Sequence, residues 1–389
     1  MRIIYINVGG SLKETSIYKK IQGQINGFIH NGVDCKGCFL ITDVDQVEHY
    51  SESIEFIPVQ KANRTYFQQL EQQCFFLEAL EQLLAKEDFD YVYLRFPFSH
   101  PKLLSILKQH PKKIIIECNS NKLAEVRSQF KEEKYTSFIS AFLSKLQDKY
   151  IPILYYRLFM SRIINEALLI VGVTLELSEL YKTKKTGYLT ISNGINISKY
   201  PTRKAPTIDS NKVIMLILDG TSTSAPWQGM DRLIKSIQKH QLTEVLEVWT
   251  CSNKNKYANY PFIKELGYLE GEQLTKVFDQ VHIGSGNFSL YRLGIKDICS
   301  LKSREYMARG LPLAYIGNDF DIENTSLKNY AYKMPNEDSI INFPSILTWL
   351  SELYEQKPNH PLEMHQLSEE LLDFKIKTKQ LVDYLNQHA

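Results

Sequence analysis

Short apolar runs alternate with amphipathic stretches along the whole chain. Arg2–Val8, Cys35–Ile41, Tyr91–Arg95, Lys113–Glu117, Ala167–Val171 and Tyr188–Ile191 are brief runs dominated by apolar residues, the pattern of strands in a covered sheet. Helices are predicted between them at Ser16–His30, Phe67–Leu84, Pro101–Gln109 and over a long stretch from about Lys131 to Asn165. Ser192-Asn193-Gly194 reads as a sharp turn, because Asn-Gly tolerates positive φ at low cost. The polar run from Tyr200 to Pro206, with a proline at each end of its core, has the composition of a linker.

A second alternation then begins. Strands are expected at Lys212–Leu218, Val245–Thr250, Val281–Gly284 and Leu311–Ile316. Helices are expected at Gln228–Lys239, Glu272–Phe278, Lys302–Arg309, Ser345–Glu355 and Leu362–Leu385. Strand–helix alternation implies parallel sheets covered on both faces. The expected fold class is therefore α/β, with two doubly wound Rossmann-like domains facing each other across a cleft, and 389 residues suit two domains. The first is expected over residues 1–200 and the second over 207–360, with a terminal helix at about 362–389 packing back on the first.

Composition narrows the function classes. A formal charge of +2 gives no global electrostatic case for nucleic acid, and no apolar run reaches the roughly 18–20 residues of a membrane span. The start, Met1 to Val8, reads as a buried strand and not as a signal peptide. Six scattered cysteines suit a reducing cytoplasm. Cys35 and Cys38 lack a second pair for structural zinc, and their place at a strand start does not favour redox chemistry.

Two dinucleotide or metal readings fail on spacing. The turn Gly9-Gly10-Ser11-Leu12-Lys13-Glu14 does not give G-x-G-x-x-G, although the glycines let backbone approach a ligand. Asp43-Val44-Asp45 has the D-x-D form that grips a metal-bound diphosphate, but it follows only the second strand, and Asp88-Phe89-Asp90 repeats the form; a solvated acidic loop accounts for it.

The chemistry concentrates between Val281 and Ile316. A short helix is expected to begin near Ser300 and Leu301, to stop at Gly310 and to be barred from resuming by Pro312. Lys302 and Glu305 share a face near its N-terminus, where free N–H groups favour a phosphate. A carboxylate there accepts both hydroxyls of a ribose, and Lys302 with Arg292 neutralises diphosphate oxygens; an ordinary surface Lys–Glu pair is the competing reading.

The run Leu301-Lys302-Ser303-Arg304-Glu305-Tyr306-Met307-Ala308-Arg309-Gly310-Leu311-Pro312 resembles the signature of glycosyltransferase family 4, which closes an E-x7-E motif; Asp297 stands at the first glutamate. Ile191 to Asn196 resembles the turn that ends the family's N-terminal domain, and Trp227 to Ile234 resembles its K-G-x-D-x-L-I helix start. Tyr93-Leu94-Arg95 with Ile114 to Glu117 resembles strands of exopolysaccharide and capsule enzymes of that family. The resemblance implies a GT-B fold, a UDP- or GDP-linked sugar donor, retention at the anomeric carbon and no metal. It implies a nucleotide-sugar site in the second domain and, on the first, a glycan, lipid-linked or protein-linked acceptor in surface polysaccharide or glycoconjugate assembly.

Carried over by position, Glu305 binds the donor ribose and Asp297 stands near the donor sugar, while Lys302 and Arg292 stabilise the departing diphosphate. Gly10, Gly220, Thr221, Gln228, Ser300 and Leu301 complete the donor side, and Arg95 and Glu117 lie on the acceptor side. Thr221 and Gln228 stand where many members carry an arginine and a lysine, which supports a competing non-catalytic binding protein. Finally, residues 127–162 hold seven Lys/Arg against three acids, interleaved with Ile139, Phe142, Leu143 and Leu146, a pattern compatible with peripheral contact on an anionic membrane or with plain packing on the domain.

Overall fold

The computed structural model describes residues 1–9, 16–42, 52–63, 67–128, 142–143, 145–208, 212–218, 227–251 and 256–388. The chain forms two compact units, Met1–Ser192 with Lys377–Ala389, and Asn193–Ile376. Each is a parallel sheet with helices on its faces.

In the first unit seven strands run in the order β3-β2-β1-β4-β5-β6-β7. They are β1 (Arg2–Val8), β2 (Asp34–Ile41), β3 (Ile54–Pro58), β4 (Tyr91–Arg95), β5 (Ile114–Cys118), β6 (Leu169–Gly172) and β7 (Gly187–Thr190). The period of two in β1 divides the core. Ile3 and Tyr5 pack with Ile21, Ile25 and Phe28 of α1 (Ser16–His30) and with Leu381, Val382 and Leu385. Ile4 and Ile6 face the other layer, built from α2 (Gln68–Lys86), α3 (Pro101–Gln109) and Met160, Ile163 and Ile164. Two short helices, α4 (Lys122–Ser128) and α6 (Leu175–Tyr181), flank α5 (Ile151–Glu166) in the chain.

The second unit has six strands in the order β10-β9-β8-β11-β12-β13. They are β8 (Val213–Ile217), β9 (Leu246–Thr250), β10 (Ile263–Glu265), β11 (Ile283–Ser285), β12 (Leu313–Ile316) and β13 (Ala331–Met334). α7 (Met230–Lys239) covers one face; α8 (Gly271–Phe278) and α9 (Leu301–Arg309) cover the other. The direction of winding reverses between β8 and β11, and in doubly wound sheets a crevice forms outside the carboxyl ends of the strands at such a reversal. In open α/β sheets that crevice is where ligands bind.

Several sequence expectations need correction. The edge strands β3, β10 and β13 were not foreseen, because each is short and carries interspersed charges or a proline that hide the strand pattern. The expected helix at 362–385 is two helices, α10 (His360–Leu372) and α11 (Phe374–His388), broken at Asp373 with ψ 141°. There the backbone of Ile195 intervenes: its N–H donates to Leu372 O at 2.9 Å and its carbonyl accepts from Phe374 N–H at 3.1 Å. Nor is the Tyr200–Pro206 run a loose linker. Arg203 is buried, donating to Gly310 O at 3.0 Å and to Tyr354 Oη at 2.6 Å. Of the long stretch from Lys131, residues 131–141 and Ser144 lie outside the described residues; a π-helical turn at Leu146–Tyr150 leads into α5. Asp43 and Asp45 also lie outside them.

Candidate functional site

The loop after β11 and the start of α9 meet at the winding reversal of the second sheet. Ser300 caps α9, its hydroxyl accepting from Lys302 N–H at 3.2 Å, and Ser303 Oγ donates back to Ser300 O at 2.7 Å. At the other end Gly310 takes φ +80°, and a Cβ there would fall 2.4 Å from the backbone of Pro361. The helix is thus fixed at both ends. A small pocket opens at its N-terminus, lined by Gly286, Asn287, Ser300, Lys302, Ser303 and Asp319 among others.

Tyr306 holds the floor of this pocket. Its hydroxyl donates to Ser285 O at 2.8 Å and accepts from Leu218 N–H at 2.8 Å, joining the ends of β8 and β11. Gly284 makes this possible: a Cβ there would lie 2.7 Å from the tyrosine ring. Arg304 holds the side. Fully buried, it makes a two-pronged contact with Asp319 (2.7 and 3.0 Å) and reaches Asp321 at 2.9 Å and Asn193 O at 2.9 Å. Burial opposes its charge, yet Asp319, with Cys299 and Asp321, more than compensates and keeps it protonated. Cys299 Sγ accepts from Asn193 N–H at 2.9 Å and from Arg304 at 3.0 Å; burial still pushes this thiol up to about 11. It is a packed acceptor and not a nucleophile.

The predicted site residues separate into groups. Ser300 and Lys302 line the pocket, and Leu301 opens the helix beside them. Glu305 does not line it and pairs with Arg309, not with Lys302, at 3.0 Å on a largely buried flank. Asp297 is bridged to Asn318, whose amide donates to it at 3.1 Å. Arg292 is bound by both nitrogens to Asp231 in the first turn of α7, at 3.0 and 2.6 Å, so its charge is already matched. Gln228 is buried in the turn before α7, where its carbonyl accepts from Phe288 N–H at 2.9 Å and its side-chain Oε1 has no partner among the described residues. Gly10, Gly220 and Thr221 lie outside the described residues.

In the first unit Glu117, expected on the acceptor side, is buried against α1. It is 1 % exposed, and its carboxylate accepts from Gln24 (2.7 Å), Asn119 (2.7 Å), Tyr93 (3.1 Å) and Tyr5 (3.3 Å), with Lys20 Nζ at 3.1 Å. Burial raises its pKa, but Lys20, Arg95 and these bonds outweigh that and hold it at about 2. Such a saturated carboxylate fastens α1 to the sheet and has no lone pair left for a sugar. Arg95, at the end of β4, keeps one buried guanidinium nitrogen without a partner among the described residues.

Sequence reasoning missed Tyr306, Arg304, Asp319 and Asn287 as builders of the pocket. Tyr306 and Arg304 sat inside the motif, but their roles depend on strand ends far away in sequence. Asp319 carried no local signal beyond a helix-capping position.

No family model matches the chain, and no curated protein matches it by sequence. Solved structures do. Sucrose-phosphate synthase from Thermosynechococcus elongatus superposes with TM-score 0.65 at 14% identity, covering 99% of this chain and 98% of that one. WaaG, a glycosyltransferase involved in lipopolysaccharide biosynthesis, gives 0.62 at 10% identity, covering 98% and 99%. HepE from Anabaena, solved in complex with UDP-glucose, gives 0.59 at 11% identity over 100% of both chains. With its two parallel Rossmann-like sheets, the chain has the fold of the GT-B glycosyltransferases.

Proposed function

We propose that this chain is a nucleotide-sugar-dependent, retaining glycosyltransferase that hands a hexosyl group to a glycan, lipid-linked or protein-linked acceptor in surface glycoconjugate assembly. The observation that carries the reading is the pocket at the α9 N-terminus, where Lys302 and the positive end of the helix dipole lie together at the winding reversal of a parallel sheet. Neighbours solved with UDP-glucose, or with UDP and GlcNAc, support a sugar nucleotide as the ligand class.

In this reading the diphosphate sits against the α9 N-terminus and Lys302, and Glu305 takes the ribose hydroxyls on the adjacent flank. The anomeric carbon–phosphate oxygen bond breaks as the acceptor oxygen bonds to the same face of the sugar. The acceptor proton passes to a departing phosphate oxygen, so no protein base is required. Catalysis rests on holding the reactants and on stabilising the charge that grows on the diphosphate. Gln228 stands where a cation is more usual; its buried Oε1, without a partner among the described residues, can accept from a donor hydroxyl but does not stabilise phosphate charge.

A second reading, a non-catalytic sugar-nucleotide-binding protein, has one observation behind it. Arg292, a candidate for the missing cation, is bound to Asp231. Incubation with UDP- and GDP-sugars and measurement of nucleotide release decides between them. Release that depends on added acceptor supports transfer; tight nucleotide binding without release under any acceptor favours the second reading.

A further inference from the structure

We propose that the outward face of α5 rests on an anionic lipid bilayer. The helix is two-sided. Met160, Ile163 and Ile164 are buried in the core of the first unit. On the other side Leu154 and Leu158 are 51% and 49% exposed, and Tyr150 in the preceding turn is 55% exposed. At about 100° per residue, Leu154, Arg157, Leu158 and Ser161 occupy roughly a third of the helix circumference. Two leucines one turn apart, both half bare, are not required by the packing of this unit.

The charges around them point to the occupant. Arg157 and Arg162 on α5, Lys145 just before it and Arg127 at the end of α4, which packs against α5, are all exposed. None of the four enters an ion pair among the described residues. The only carboxylate on α5 is Glu166, its last residue. Leucines ringed by cations that pair with no acid among the described residues, on a helix with no acid before its last residue, match a surface that supplies an apolar layer beneath anionic headgroups. A protein partner would need both an apolar socket and an acidic rim. No helix among the described residues is long and apolar enough to cross a membrane, so the contact is peripheral. The stripe stands on described residues alone; Lys131, Lys134 and Ile139 from the sequence pattern lie outside them.

The test is co-sedimentation of the full chain with phosphatidylcholine vesicles, with and without about 30 mol% phosphatidylglycerol. The protein is expected to pellet with the anionic vesicles only, and less as salt rises. Leu154→Ser/Leu158→Ser lowers the bound fraction at least about tenfold, and Arg157→Glu/Arg162→Glu does the same. Because the leucines are half bare and the arginines exposed, both variants keep a cooperative melting transition within a few degrees of the parent, which separates lost binding from lost folding. A chain that stays in solution with anionic vesicles overturns the proposal. So do variants that bind like the parent, and so does a dimer abolished by the leucine substitutions in the absence of any vesicle binding. Vesicle binding is read without a donor, so this outcome is independent of whether sugar transfer is observed.

Discussion

Lys302 owes its position to Ser300, whose hydroxyl caps the backbone two residues on, and to a helix fixed at its far end by Gly310. Removing the amine while leaving that scaffold, Lys302→Ala, is expected to lower turnover about 10²–10³-fold with little change in stability, as for loss of one preorganised charge at a leaving group. Steady-state kinetics with a saturating donor checks it. Glu305→Ala is expected to act on donor KM instead; since Glu305 is also the partner of Arg309, Glu305→Gln, which retains a hydrogen-bonding group, should recover part of the loss. Arg304 belongs to a different class. Arg304→Met strips the partner from buried Asp319 and is expected to cost about 3–5 kcal/mol of folding stability in urea titrations. That cost should appear with no ligand present.

At the scale of elements, the parallel strands of both sheets were legible wherever they are central, because burial on both faces writes them as continuous apolar runs. Three of the four edge strands, β3, β10 and β13, were not, since an edge tolerates charge and proline, whereas the edge strand β7 was. The break at Asp373 escaped notice for another reason: nothing local disfavours helix there, and the backbone of Ile195, distant in sequence, takes its bonds. The site divides the same way. The motif located the α9 N-terminus, its cap and its terminating glycine, all local features. The pairing of Arg292 with Asp231 and the saturation of Glu117 depend on contacts between remote segments. Gly284 illustrates how tightly one element constrains another. Gly284→Ala would press a methyl group against Tyr306 at 2.7 Å, so the ring must move and release its bonds to β8 and β11. It is expected to weaken nucleotide binding and lower the melting temperature together, read by thermal denaturation with and without nucleotide.

For the molecule as a whole, two buried groups contribute to the acid limb of stability. His360 is fully buried beside Arg203; burial first, then that guanidinium, lowers its pKa to about 4. The unfolded chain therefore binds this proton more readily, so stability falls as pH drops from about 6.5 to about 4, by on the order of 3 kcal/mol, and then levels. Glu117, held at about 2, contributes stability that is fully present above about 4.5 and is lost as pH falls toward 2. Urea unfolding at a series of pH values should show both segments, and His360→Phe should flatten the first. The fold supplies a pocket at the winding reversal of the second sheet, and the proposed function stands on what enters it. Calorimetric titration of UDP and GDP into the parent and into Lys302→Ala addresses that claim most directly. One nucleotide should bind the parent, with affinity at least about tenfold weaker in the variant. Binding of neither nucleotide, or binding of one with equal strength to both proteins, would contradict it.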